Sequence, residues 1–153
     1  MAWVDSLRGK VIGLDTTPFI YFIEKHPLYV DTIRPLFVSV GKGECFVVTS
    51  TLTLLETLVI PLRHGDKYIA GKYRNILLKT KGLKTVSISN EIAEEAARIR
   101  AKYSIHTADS IQMATAFKEG AALFLTNDLA LPSFPKLKVL TLEALKNDAQ
   151  AIT

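Results

Sequence analysis

The chain is poor in residues that cross-link or bind soft metals. Its 153 residues include one cysteine and three histidines. A lone cysteine excludes an internal disulfide and any cysteine-rich zinc site. Its setting, Cys45-Phe46-Val47-Val48, is that of a small buried hydrophobe. His26, His64 and His106 are scattered without metal-ligand spacing, although His106 stands just before a helix that carries an acid. No apolar run reaches the ~18 residues of a membrane span. The start, Met1-Ala2-Trp3-Val4-Asp5, has neither the basic residues nor the apolar stretch of a secretory leader, so the cytoplasm is expected. A glycine-rich phosphate loop is missing too, since Gly41-Lys42-Gly43 has the spacing of neither nucleotide motif. Repeats, long linkers and low-complexity segments are absent, and residues 1–153 read as a single domain.

What is present is a core. Hydrophobic residues make up 48% of the chain and charged residues 22%, which excludes a disordered tail. The net charge of +4 suits an anionic partner such as nucleic acid without requiring one. Short apolar runs alternate with helical patterns, the signature of an α/β fold with a mainly parallel sheet of about five strands. Strands are expected at Val11–Leu14, Phe46–Val48, Thr85–Ile88, Ala122–Leu125 and Leu137–Leu140. Thr17 resembles an N-cap with Pro18 at the first helical position. Further helices are expected over Tyr29–Val40, from Ser50 or Thr51 up to Pro61, over Asp66–Leu78, over Glu91–Tyr103, and over Thr107–Lys118 with Gly120 closing it. Glu94 and Arg98 are spaced to pair on the exposed face of the Glu91–Tyr103 helix.

Four acids stand out by position. Asp15 follows the strand ending at Leu14, and Asp128 follows the strand ending at Leu125 after Thr126 and Asn127. The carboxyl ends of parallel strands form the functional crevice of such folds, so the two acids should share one cleft. Asp109 lies near a helix start, where an acid also favours the helix dipole. Glu56 sits in Leu54-Leu55-Glu56-Thr57-Leu58-Val59-Ile60, almost wholly apolar company. It must be exposed, paired with a Lys or Arg, or part of a site, because an unpartnered buried charge is very costly. Clustered carboxylates repel one another, and a divalent cation relieves that repulsion. With no His or Cys in the set, magnesium or manganese is favoured over zinc.

The residues around these acids carry a resemblance. Val11-Ile12-Gly13-Leu14-Asp15-Thr16 with Ile20-Tyr21, the run Ser50-Thr51-Leu52-Thr53-Leu54-Leu55-Glu56, the stretch Thr107-Ala108-Asp109-Ser110-Ile111-Gln112-Met113-Ala114-Thr115-Ala116, and Leu123-Phe124-Leu125-Thr126-Asn127-Asp128 together resemble a PIN domain, most of all the VapC-type toxin ribonucleases of toxin–antitoxin pairs. The likeness runs from about Val11 to Leu142. It implies a Rossmann-like parallel sheet and a magnesium- or manganese-dependent endoribonuclease. Asp15, Glu56, Asp109 and Asp128 match the family's acidic quartet, and Thr126 matches the hydroxyl residue before the last acid. One departure is Thr17, where the family often has Asn or Ser. The resemblance also implies an RNA substrate, a small antitoxin that covers an apolar groove and the acidic pocket, and a homodimer.

Other features bear on the same reading. Arg63, Lys67, Lys72, Arg74, Lys79, Lys81 and Lys84 cluster with Tyr68 and Tyr73 between them, which suits single-stranded RNA or, equally, a solvated helix with its tyrosines turned inward. A haloacid-dehalogenase-type phosphatase would want a second Asp where Thr17 stands, and a phosphate-receiver domain would want an acidic pair at the first strand's end. A PIN-like scaffold that binds RNA or protein without cutting is the remaining alternative. It gives no physical reason to keep four like charges together.

Overall fold

The structure is a computed structural model that describes residues 3–152, with side chains described for residues 3–147. A short 3-10 turn, Trp3–Leu7, precedes β1 (Val11–Leu14). There follow α1 (Thr16–Ile23), α2 (Val30–Gly41), β2 (Phe46–Ser50), α3 (Thr51–Arg63), α4 (Lys67–Lys79), β3 (Leu83–Val86), α5 (Asn90–Tyr103), α6 (Thr107–Lys118), β4 (Leu123–Thr126), β5 (Lys138–Thr141) and α7 (Leu142–Ile152). The five strands pair entirely in parallel, in the order β3-β2-β1-β4-β5. No helix among the described residues is long and apolar enough to cross a membrane.

Side-chain alternation along the strands divides the core in two. Ile12, Leu14, Val47, Leu123 and Leu125 face α1, α2, α4 and α7, packing with Phe19, Ile33, Leu36, Leu77 and Leu142. Val48 and Phe124 face α5 and α6, packing with Ile92, Ile99, Met113 and Ala114. Gly13 lies between two residues of the first face and so points at α6. A Cβ there would stand 2.4 Å from Ala116 Cβ, so the glycine is what lets α6 lie directly on β1. Cys45 is buried, as its apolar run suggests.

Several boundaries differ from the sequence expectation, each for a physical reason. Asp15, not Thr17, caps α1: its carboxylate takes the Thr16 N–H, which places Pro18 at the third helical position. Ser50 caps α3 through Leu52 N, and the helix runs past Pro61 to Arg63. Proline near the end gives up one backbone donor without stopping the helix. The third strand begins two residues early, because Gly82, at φ +87°, turns the chain directly into register with β2. The surplus residues, Ser87 and Ile88, lie beyond the strand and are exposed. The fourth and fifth strands each run one residue later than expected, and α7 lies beyond the helices read from the pattern. The Glu94–Arg98 pair forms.

Candidate active site

The strand order reverses between β1 and β4, the two neighbours from which the chain winds in opposite directions. Ligand crevices of open α/β sheets lie at the carboxyl ends of such strands. Asp15 and Asp128 both leave the sheet there, and Asp15 N still donates to Leu125 O at 3.0 Å across the junction. The Asp15 carboxylate is clamped on both oxygens. Oδ1 accepts from Thr16 N at 2.8 Å, and Oδ2 accepts from Thr126 Oγ1 at 2.7 Å. The same Thr126 oxygen accepts from Asp128 N at 3.0 Å, so one fully buried hydroxyl ties the two acid-bearing turns together. Asp128 itself is exposed, its Oδ1 taking Ala130 N. Asp109 comes in on the first turn of α6 and is half-buried. Glu56 comes from the second turn of α3 with its side chain exposed, and Thr16 Oγ1 donates to its Oε1 at 2.7 Å. Glu56 therefore has a neutral partner rather than the salt bridge left open by the sequence.

These four acids share one electrostatic field. Asp15 is 9% exposed, and burial pushes its carboxyl from 3.8 to about 6. The bonds from Thr126 and Thr16 oppose that rise, and the charges of Asp109 and Glu56 add to it. Asp109 is also raised, by burial first and then by Asp128 and Glu56, against the opposing pull of His106. His106 thus stands beside the site, as its sequence position allowed. None of the four acids makes an ion pair with Lys or Arg among the described residues.

The PIN domain family model matches residues 12–137. The chain belongs to the PIN domain family. Among solved structures, its fold is similar to a chain of VapBC2 from Rickettsia felis, bound to a DNA fragment from its promoter. That match has a TM-score of 0.67 and 20% identity, and covers 86% of this chain and 98% of that one. VapC20 from Mycobacterium tuberculosis, described as a Sarcin-Ricin loop cleaving toxin, matches at a TM-score of 0.60 and 19% identity, over 74% of this chain and 86% of that one. A chain of FitAB bound to IR36 DNA matches at 0.61 and 18% identity, over 86% and 94%. No curated protein matches the chain by sequence. At these identities the neighbours establish the fold, which is the PIN-like α/β arrangement expected from the sequence.

The donor chemistry of this PIN domain fits a hard divalent cation. No three His, Cys, Asp or Glu side chains among the described residues form a ready-made cage. Magnesium does not need one, because it keeps several waters and takes one or two carboxylates plus substrate phosphates. What fits such an ion is the donor set: oxygen ligands only, a buried Asp15 carboxylate fixed by Thr16 and Thr126, and no Lys or Arg paired with any of the four acids among the described residues. Asp15, Asp109 and Asp128 would hold the ion, with Glu56 completing the set.

Beneath the acids lies a layer that the sequence reading missed. Thr16, Thr49, Ser50, Thr53 and Gln112 are all buried and hydrogen-bonded to one another between α1, β2, α3 and α6. The available signal was the hydroxyl-rich run Thr49-Ser50-Thr51 with Thr53 at a strand end, where apolar residues would otherwise be expected. The basic segment is only partly what its composition suggested. Tyr73 is fully buried with its hydroxyl bonded to Glu24, and Lys84 pairs with Glu119 at 3.3 Å. Tyr68 is 70% exposed, with the Lys72 ammonium 4.9 Å from its ring centre.

Proposed function

We propose that this PIN domain is a magnesium- or manganese-dependent endoribonuclease acting in the cytoplasm as the toxin of a toxin–antitoxin pair. The observation that carries the reading is the convergence of Asp15, Glu56, Asp109 and Asp128 at the β1–β4 crevice, with Thr126 bridging two of them. The chemistry such an ion supplies when bound is an acidified water and neutralisation of the phosphate. The chain's own residues supply placement. Thr16 N and Thr126 Oγ1 fix the plane of the Asp15 carboxylate, and Thr16 Oγ1 fixes Glu56. The buried hydroxyl layer beneath Thr16 holds these carboxylates in place before an ion arrives.

Two partners follow. The structural neighbours include a toxin–antitoxin complex from Klebsiella pneumoniae, which supports an antitoxin here. A 470 Å³ groove between α1, α2 and α4, floored by Phe22, Ile23, Val30 and Ile76 and rimmed by Lys25, Arg34 and Lys72, suits an apolar segment carrying acidic residues. On α3, Leu55 and Leu62 are 59% and 58% exposed on one face with Val59 between them, a stripe that a second copy would cover in a homodimer. Sedimentation showing a dilute monomer would remove the dimer.

The deciding experiment is cleavage of mixed single-stranded RNA and total cellular RNA with magnesium, manganese or chelator, alongside Asp109→Asn. Metal-dependent cutting that the variant lacks is the expected result. No cutting by folded, inhibitor-free protein with either metal would favour the non-catalytic binding scaffold.

A further inference from the structure

Glu56 is an exposed carboxylate on a long side chain, and such a group would ordinarily sample many rotamers. Among the described residues, the Thr16 hydroxyl is what holds it, at 2.7 Å. A threonine hydroxyl has one proton to give. Thr16 has a competitor for that proton in Thr53, 3.2 Å away.

The competition is settled one layer down. Gln112 is 3% exposed, on the helix that Gly13 admits against β1. Ser50 Oγ donates to Gln112 Oε1 at 2.8 Å, which turns the amide's amino group toward the threonines. That group gives one hydrogen to Thr53 Oγ1 at 2.6 Å and the other to Thr16 Oγ1 at 3.1 Å. Each hydroxyl, having accepted, keeps its own proton for a second partner. Thr53 passes it to Thr49 at 2.7 Å, and Thr49 donates to the Leu14 carbonyl at 3.0 Å. Thr16 passes it to Glu56. With the amide reversed, its carbonyl would draw the Thr16 proton, and Glu56 would lose its tether. No buried side-chain nitrogen or oxygen among the described residues is left without a partner, so the network is fully satisfied in this arrangement.

We propose that Gln112 is a positioning residue for the acidic site: its amide orients the Thr16 hydroxyl so that Glu56 is held beside Asp15 and Asp109. The part of this that concerns metal affinity rests on the metal-dependent reading above. The part that concerns Glu56 does not.

The test uses two readouts on the full chain. In chelator, the Gln112 side-chain amide protons are followed by ¹⁵N NMR in wild type and Glu56→Gln. They are expected to shift, because the two groups share the Thr16 hydroxyl. Mn²⁺ binding is then measured by electron paramagnetic resonance. Gln112→Met is expected to weaken it about tenfold, the usual scale for a partner that orients a ligand. In the Glu56→Gln background the same substitution is expected to change nothing further. Thr16→Val should match Gln112→Met, with Thr16→Ser restoring binding, which keeps the test alive if Gln112→Met does not fold. Unmoved amide protons, or equal weakening with and without the Glu56 carboxylate, would overturn the proposal. Shifted protons in a wild type that binds no Mn²⁺ would instead sink the metal-dependent reading and leave the Gln112–Thr16–Glu56 linkage standing.

Discussion

Asp15→Asn is expected to make the metal-free protein more stable at pH 8 while removing its activity. Folding moves the Asp15 carboxyl from 3.8 to about 6, chiefly through burial. The folded protein therefore holds the proton more tightly than the unfolded chain. The stability this confers is fully present below pH 3.8 and is lost as pH rises through about 6. At about 1.4 kcal/mol per pH unit, the gap between the two values amounts to about 3 kcal/mol lost by pH 8. An amide carries no charge at any of these pH values and escapes the loss. Its oxygen can still accept from Thr16 N, but its amino group must donate to Thr126, which turns that bond around. The reversal trims the gain to about 2–3 kcal/mol. For a chain of this length that is a rise in melting temperature of about 4–12 °C. The assay is thermal or urea unfolding in chelator at pH 8 and pH 4. At pH 4 Asp15 is neutral in the folded state, and the gain should fall below about 1 kcal/mol. Saturating magnesium at pH 8 should close or reverse the difference, because it stabilises only the protein that binds it. An Asn variant less stable than wild type at pH 8 in chelator, or a gain independent of pH, would refute the account of a carboxylate held in the charged form at a cost.

Two further outcomes follow from the geometry. Gly13→Ala places a methyl 2.4 Å from Ala116 Cβ and 3.2 Å from the Phe124 ring, and should destabilise by about 3 kcal/mol in a melting experiment; Ala116→Gly in the same chain should recover part of it, and no recovery would mean that the contact is not the cause. Tyr68→Ala, at an exposed ring beside Lys72, should weaken binding of single-stranded RNA without lowering the melting temperature, and binding should fall steeply with salt, whereas Tyr73→Ala should unfold the protein rather than alter RNA affinity.

The difference between these two tyrosines shows what the sequence exposed and what it withheld. Strand–helix alternation and acids at strand ends are local signals. The first located the strands to within two residues, and the second put Asp15 and Asp128 just beyond β1 and β4, whereas Glu56 and Asp109 lie on helices and were joined to that pair by the family resemblance. The pattern Lys67-Tyr68 through Lys72-Tyr73 suited an aromatic, basic surface and an inward-turned tyrosine pair equally, and a five-residue step on α4 gives one of each, one ring in solvent and the other in the core. The cap of α1 was misplaced for a related reason. Thr17 and Pro18 carry a strong local signal, but Asp15 must leave β1 pointing at Thr126 on the neighbouring strand, and that long-range bond fixes where the helix begins.

The buried hydroxyl layer was the least legible part, because its members come from four elements and only the hydroxyl-rich run at 49–53 is unusual in its own segment. Its existence follows from packing rather than from motif. Gly13 draws α6 onto β1, and this brings Gln112 to the end of the strand. Once there, its buried amide is met by three hydroxyls, and an apolar residue at position 16, 50 or 53 would take one of these partners away. The same contact carries Asp109 toward Asp15 on the first turn of that helix, where its charge opposes the ionisation of Asp15. A single missing side chain on β1 thus bears both on the polar floor, by admitting Gln112, and on the crowding above it, by admitting Asp109. The acids are brought close by a contact that is itself apolar, so their repulsion is imposed by the fold and remains available to be relieved by whatever cation binds.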